Sequence, residues 1–426
     1  MSELRLRALL ATALALSAGV CRAQTPPASP TNLTLAAALE FAARDNPGLK
    51  SLRAQWEALQ ERPRQARALA NPVAKYGGMD ATGSGDWPDT GEKRFGVEQS
   101  FPWFGKRNLR AGIAEKDAEA MRHELDTLAR EIVMRVKESY FSLYAAQQAI
   151  RITRGEETVL QRMAKISETL YATGVRTQQD VLKARSEITL LKQRLLELGA
   201  QESTLQAQLN ALLGRRADAP FGDAVTPPDT AYAASRDDLF VLASASRPEI
   251  RAAQTRIERA ELETRLMDKE SRPDYQLGVE YRDIGGGDNM VMFTVGVELP
   301  IWQSKNRAAV SEARRKKAAS EADLESARLA SSLDVQSALI RLQTAQRSLG
   351  LYTAELIPQA EARFSASEAD YQTGKADFMD FLESERFLLG ARVMAATAEG
   401  DVGVQLARLE RAVGSDLNPP KERAAK

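Results

Sequence analysis

The sequence predicts a mainly α protein with a small β part. It should be built from long antiparallel helical hairpins and four β-strands, with one unit present twice. Heptad-spaced Leu, Ala and charged residues continue for lengths that no globular body needs. Shorter segments alternate apolar and polar residues with period two. The phrase Tyr171-Ala172-Thr173-Gly174, followed by Asp180-Val181-Leu182, returns 200 residues later as Tyr371-Gln372-Thr373-Gly374, followed by Asp380-Phe381-Leu382.

Residues 1–23 read as a targeting segment. Arg5 and Arg7 give a basic start, Ala8 to Val20 an apolar stretch, and Cys21-Arg22-Ala23 small residues before a cut at Gln24. The apolar stretch is too short to span a membrane as a helix. Cys21 has a second reading as a lipid-attachment cysteine, although bulky Val20 precedes it. Residues 24–32, with Pro26, Pro27 and Pro30, read as a flexible lead-in. No later apolar stretch has the length of a spanning helix.

The first repeat is expected over 33–214 and the second over 237–414, with a linker at 215–236 and a tail at 415–426. Asn46-Pro47 matches Arg247-Pro248, Phe101-Pro102 matches Leu299-Pro300, and Leu213-Gly214 matches Val413-Gly414. Such self-similarity marks a repeated architecture, here one large unit present twice. Each half opens with an amphipathic helix, about 33–70 and 237–270, broken near its proline because the residue before proline disfavours helix. A long helix follows, 106–171 and 305–371, each on the order of 100 Å at ~1.5 Å per residue. After the glycine, a return helix runs to Gly214 and to Gly414. Leu125, Leu128, Ile132, Val136, Tyr140 and Leu143 form one seam, and Ile188, Leu191, Leu195, Leu198, Leu205, Leu209 and Leu212 another. Pro358 should kink or break the second long helix, since its ring clashes with the carbonyl of Ala354.

Two extended segments lie between the helices of each half. Val291, Phe293, Val295, Val297 and Leu299 alternate with Met290, Met292, Thr294, Gly296 and Glu298. Tyr275, Leu277, Val279 and Tyr281 alternate with polar residues, and Gly285-Gly286-Gly287-Asp288 joins the two as a hairpin. Phe95, Val97 and Phe101 alternate with Arg94, Gly96, Glu98 and Ser100, with a weaker partner strand near 73–79 and a loop around 84–91. Strands of about ten residues, apolar on one face and polar on the other, suit a membrane β-barrel; a soluble hairpin on a helical core is the plainer alternative. Trp103 and Trp302, after Pro102 and Pro300, suit a membrane–water boundary. Four strands cannot close a barrel, and unpaired edges in lipid cost several kcal/mol per polar group. If these strands are in a membrane, several copies must share one barrel.

Composition excludes other classes. Lys plus Arg and Asp plus Glu balance at 58 each, so no net field favours nucleic acid. One Cys and one His cannot supply a zinc site or a Cys/His catalytic set. Met290 and Met292 read as pore-wall residues, with soft sulfur for copper as the alternative. No catalytic constellation, cofactor site or metal site is expected.

Hairpin strands, very long helices, the doubled plan and the Tyr-x-Thr-Gly turn together resemble the TolC family of outer-membrane efflux proteins, over residues 33 to 414. Within it, Phe101-Pro102-Trp103-Phe104-Gly105-Lys106-Arg107 is similar to the heavy-metal, CzcC- and CusC-like branch. The resemblance implies a homotrimer, with a twelve-stranded barrel in outer-membrane lipid and a periplasmic α-barrel tunnel. It implies hairpin tips at Thr173, Gly174, Thr373 and Gly374 that meet a periplasmic adaptor, itself linked to an inner-membrane pump of the RND type. It further implies a pore constriction at Asp380 and Glu383, and a tip closure in which Tyr371 partners Asp180. A solvated helix face is the plainer reading of the two acids. Ala376 departs from the family pattern, which places a basic residue there in some members; Lys375 is adjacent. The implied role is an exit duct, for heavy-metal cations on branch resemblance, or for drugs, organic solutes or type I secreted proteins. A periplasmic coiled-coil scaffold is the reading from a different class.

Overall fold

The computed structural model describes residues 32–79, 92–220, 222–228, 232, 234–284, 287–373 and 375–417. The targeting segment with Cys21, the lead-in up to residue 31, the 84–91 loop, Gly285, Gly286, Gly374 and the tail beyond Leu417 lie outside them.

Strand β1 (Asn32–Leu33) enters α1 (Leu35–Asp45), whose first turn is capped by the Thr34 hydroxyl. Asn46 ends α1 and caps α2 (Pro47–Gln60), accepting from the N–H groups of Gly48 and Leu49. Pro47 then occupies a first-turn position where its missing N–H costs nothing. A further break at Glu61 precedes α3 (Arg62–Arg67), where Pro63 again sits in the first turn. The first helix, expected with one break, is therefore three segments.

Strands β2 (Val73–Met79) and β3 (Glu92–Phe101) follow, then α4 (Lys106–Ala172), α5 (Gln178–Leu212) and β4 (Asp223–Ala224). The second half gives α6 (Arg236–Ser246), α7 (Pro248–Glu270), β5 (Asp274–Ile284) and β6 (Met290–Glu298). It ends with α8 (Gln303–Leu351), a π-helical segment (Tyr352–Leu356), α9 (Ile357–Gln372) and α10 (Phe378–Val413). The expected fault at Pro358 is that π segment: one wide turn absorbs the ring and the lost donor, and the helix continues.

Of the expected seams, Ile132, Val136, Tyr140 and Leu143 are buried in one and Leu191, Leu198 and Leu209 in the other, while the remaining members are half-buried. Ile132, Val136, Tyr140 and Leu143 form a core with Leu209 and Leu213. Helix α4 packs against α5 and also against α7 and α10 of the other half. Its approach to α10 is close: a Cβ on Gly400 would meet the Ala145 Cβ at 2.6 Å and the Phe141 carbonyl at 2.9 Å, so only glycine fits there.

One element was not expected. Within the 215–236 linker, β4 pairs in parallel with β1. Buried Tyr140 clamps the pair, donating to the Leu33 carbonyl at 2.8 Å and accepting from the Thr226 N–H at 2.9 Å.

The other four strands make one antiparallel sheet in the order β2-β3-β5-β6. Strands β3 and β5 pair from Glu92↔Ile284 to Phe101↔Tyr275, which joins the two halves of the chain. At the helical end of this sheet lies Lys106, 2% exposed. Its ammonium meets Asp274 Oδ1 at 2.9 Å, Glu270 Oε2 at 3.1 Å and the Arg272 carbonyl at 3.1 Å. Asp274 also accepts from the Trp103 N–H at 2.6 Å. Removing one partner of a buried ion pair strands the other charge. Lys106→Ala should destabilise by about 3 kcal/mol, the low end of the range for such sites because both acids keep some water. A melting temperature within error of the wild type would show that the joint is dispensable.

Candidate functional site

The hairpin tips come first. Gly174 sits at φ 74°, left-handed, and lets the chain turn from α4 to α5. Its N–H donates to the Tyr171 carbonyl at 3.0 Å, and the Thr173 hydroxyl donates to Thr169 and Leu170 carbonyls. The second tip repeats this chemistry. The Thr373 hydroxyl donates to Ala369 and Asp370 carbonyls, and Asp377 caps α10 through the Phe378 N–H at 2.7 Å.

The two tips are packed on one another. Tyr371 is fully buried, stacked on Phe381 at 5.7 Å and edge-on to Phe378 at 5.5 Å. Its hydroxyl pairs with the Ser167 hydroxyl at 2.8 Å. Burial pushes the Tyr371 phenol up, and the charge of buried Asp180 adds to that. Tyr371 and Asp180 are thus neighbours in one subunit, while the hydrogen bond of Tyr371 goes to Ser167. Arg176 was missed. Its guanidinium lies 5.3 Å over the Tyr371 ring and donates to the Ala376 carbonyl. Arg176 stands 200 residues before Ala376 in the sequence and reaches across to that residue's carbonyl. The 200-residue offset was the available signal.

Asp380 and Glu383 are exposed on the first turns of α10. Glu383 pairs with Arg363 of α9 at 3.1 Å, and among the described residues Asp380 has no ion-pair partner. Trp103 stacks on Tyr275 at 5.7 Å, whereas Trp302 is exposed.

The sheet has two unlike faces. Its register places Tyr76, Phe95, Tyr281 and Val291 in one row and Ala74, Val97, Val279 and Phe293 in the next. Most of these apolar side chains are open, Phe293 to 77%. A patch of this kind marks a membrane or a partner surface. The opposite face carries ion pairs: Lys75 with Glu98, Arg94 with Glu92 at 2.8 Å, and Arg282 with Glu280 at 2.6 Å. Met292 lies on this charged face, where Arg282 donates to its sulfur at 3.9 Å. Among the described residues no group of three or more His, Cys, Asp or Glu side chains could hold a metal ion, and no helix is long and apolar enough to cross a membrane.

The sequence model described as "Outer membrane efflux protein" matches residues 38–215 and again 239–415. The chain belongs to the outer membrane efflux protein family. The resemblance read from the sequence therefore holds, and the protein is an outer-membrane efflux channel whose helices extend into the periplasm. It is 25% identical over 384 residues to the cobalt-zinc-cadmium resistance protein CzcC of Cupriavidus metallidurans, covering 90% of each chain. It is 24% identical to the pyoverdine export outer membrane protein OpmQ of Pseudomonas aeruginosa, over 80% of this chain and 72% of that one. Among solved structures, a CusC structure from a study of transmembrane channel formation matches with a TM-score of 0.75 at 17% identity, covering 89% and 92%.

This efflux family member also carries a buried acid pair that sequence reasoning missed. Glu385 on α10 is 1% exposed and Glu156 on α4 is 5% exposed. Their carboxyl groups lie against each other, and Oε1 of Glu385 meets no donor. Beside them Arg386 pairs with Glu187 of α5 at 2.8 Å. Burial, then Glu156, pushes the Glu385 carboxyl from 4.5 up to about 9. Both acids occupy seam positions, Glu156 between Thr153 and Leu160, and Glu385 between Leu382 and Leu388. That spacing was the legible signal. The folded state holds the Glu385 proton more tightly than the unfolded chain does. The stability it lends is full below pH 4.5 and is lost as pH rises through about 9. From about pH 5 to pH 9 the melting temperature of the wild type should fall more than that of Glu385→Gln, which keeps a donor and does not titrate. Equal slopes in both proteins would exclude titration of Glu385 in this range.

Proposed function

We propose that this channel is the exit duct of a tripartite efflux system. Three copies share a twelve-stranded barrel in the outer membrane and a periplasmic α-barrel tunnel, and a duplication produced the two halves of each copy. The observation that carries this reading is the sheet with one open apolar face and both edges, β2 and β6, paired on one side only. In lipid those edges must find partners, and copies of the same chain supply them. A periplasmic scaffold without a pore gives the apolar face nothing to do.

The tips at Thr173, Gly174, Thr373 and Gly374 meet a periplasmic adaptor, which links the duct to an inner-membrane pump of the RND type. Tyr371 and Asp180 belong to the tip closure. Asp380 and Glu383, repeated threefold, form acidic rings that favour cations. Heavy-metal cations are the cargo, supported by the likeness to CzcC and by the Phe101-to-Arg107 motif. The likeness to OpmQ favours a second reading, in which the cargo is an organic solute. The duct performs no chemistry of its own; the pump supplies the energy.

Fractionation tests the core of this reading: the protein should reside in outer membranes as a trimer that dissociates on heating, and recovery in the soluble periplasm would defeat it. In planar bilayers, Asp380→Ala with Glu383→Ala should raise conductance and move the reversal potential under a salt gradient toward zero. Unchanged currents and potentials would remove these acids from the constriction.

A further inference from the structure

The open apolar face of the sheet ends in a cleft of about 440 Å³ where β3 and β5 give way to helix. Phe101, Trp103, Phe104, Tyr275 and Leu277 line it, and Arg107 closes its rim. The cleft is built on the two central strands, away from the β2 and β6 edges. Arg107 donates to the Arg67 carbonyl at 3.2 Å and has no carboxylate partner among the described residues. Its other donors are therefore available. Arg67, on α3, stands beside it and has an exposed ion pair with Glu115. Aromatic rings that meet hydrocarbon on one side and the Arg107 guanidinium on the other match the two ends of one kind of molecule.

The geometry points to a binding site for an anionic phospholipid of the periplasmic leaflet, with its phosphate on Arg107 and its first acyl carbons against Trp103, Phe104 and Tyr275. A guanidinium suits a phosphate because it offers several N–H donors in one plane. The ring pair Trp103–Tyr275 gives the acyl chain a rigid wall. A lipid without net charge would fill the cleft and leave the positive charge of Arg107 unbalanced. This rests on the reading of the sheet as a barrel wall facing lipid.

The test is native mass spectrometry of the full-length protein extracted from membranes and mixed with equal amounts of phosphatidylglycerol and phosphatidylcholine. The wild type should retain phosphatidylglycerol in excess. Arg107→Gln should lower that excess about fivefold, the effect of one basic side chain near an anionic surface. Arg67→Gln should lower it less, because Arg67 already pairs with Glu115. Arg194→Gln, an exposed change far along α5, should leave the ratio as it was. Equal retention of the two lipids, or an unchanged ratio in Arg107→Gln, overturns the site. Loss of the phosphatidylglycerol excess on adding inorganic phosphate would assign the pocket to free phosphate and overturn the lipid. A wild-type protein found in the soluble fraction with no lipid attached would overturn the barrel reading itself, an outcome distinct from the others.

Discussion

Lys106 must place an ammonium inside the protein, and everything at the boundary between sheet and helices is arranged around that demand. Its two acids come from the other half of the chain, at the end of α7 and the start of β5. The same Asp274 oxygen also fixes the backbone of Trp103. One cluster of charge therefore sets where the first long helix starts, where the second sheet hairpin starts, and how the aromatic segment between them is held. Buried ion pairs seldom add net stability over apolar packing, but they penalise every wrong arrangement heavily. A rigid angle between strands and a helix of 67 residues is a setting in which that penalty is useful, since a small error at one end becomes a large displacement at the far end.

Much of this fold was legible in the sequence because its signals are periodic. The segment from Met290 to Leu299 alternates without a slip and is strand as far as Glu298, and the α4 seam keeps its step from Leu125 to Leu143 and is fully buried from Ile132 on. What local pattern could not reveal was partnership. Nothing near Asp223 and Ala224 announces a strand, because two residues have no period and their pairing depends on Leu33 and Tyr140. The third piece of the first helix escaped notice because Pro63 is well tolerated in a helical first turn, so it marks a start as readily as a stop.

The candidate site divides along the same line. Tyr371, Asp180 and the tip threonines were found because the repeated phrase drew attention to them. The Glu156–Glu385 pair was overlooked because a charged residue in a heptad pattern is assumed to face water. Burial reverses that assumption for Glu385, whereas Arg176 lies in the turn after the tip, outside any periodic pattern. The hairpins are unequal: the second exposes Asp380 and Glu383, while the first contributes the cation that reaches across to the other.

The pairing of β1 with β4 bears on how such a chain must be made. Leu33 cannot settle until Ala224 has been delivered, and β3 cannot acquire its second neighbour until β5 arrives. Although the family model matches each half separately, the contacts of α4 with α7 and α10 leave neither half complete alone. A polypeptide threaded through a translocon from its N-terminus therefore spends most of its export with unpaired strands and uncovered helix faces. Such intermediates aggregate readily, and nonlocal pairing is slow to form. The architecture that makes a long, stiff duct thus commits the cell to guarding the nascent chain until its last helix has crossed.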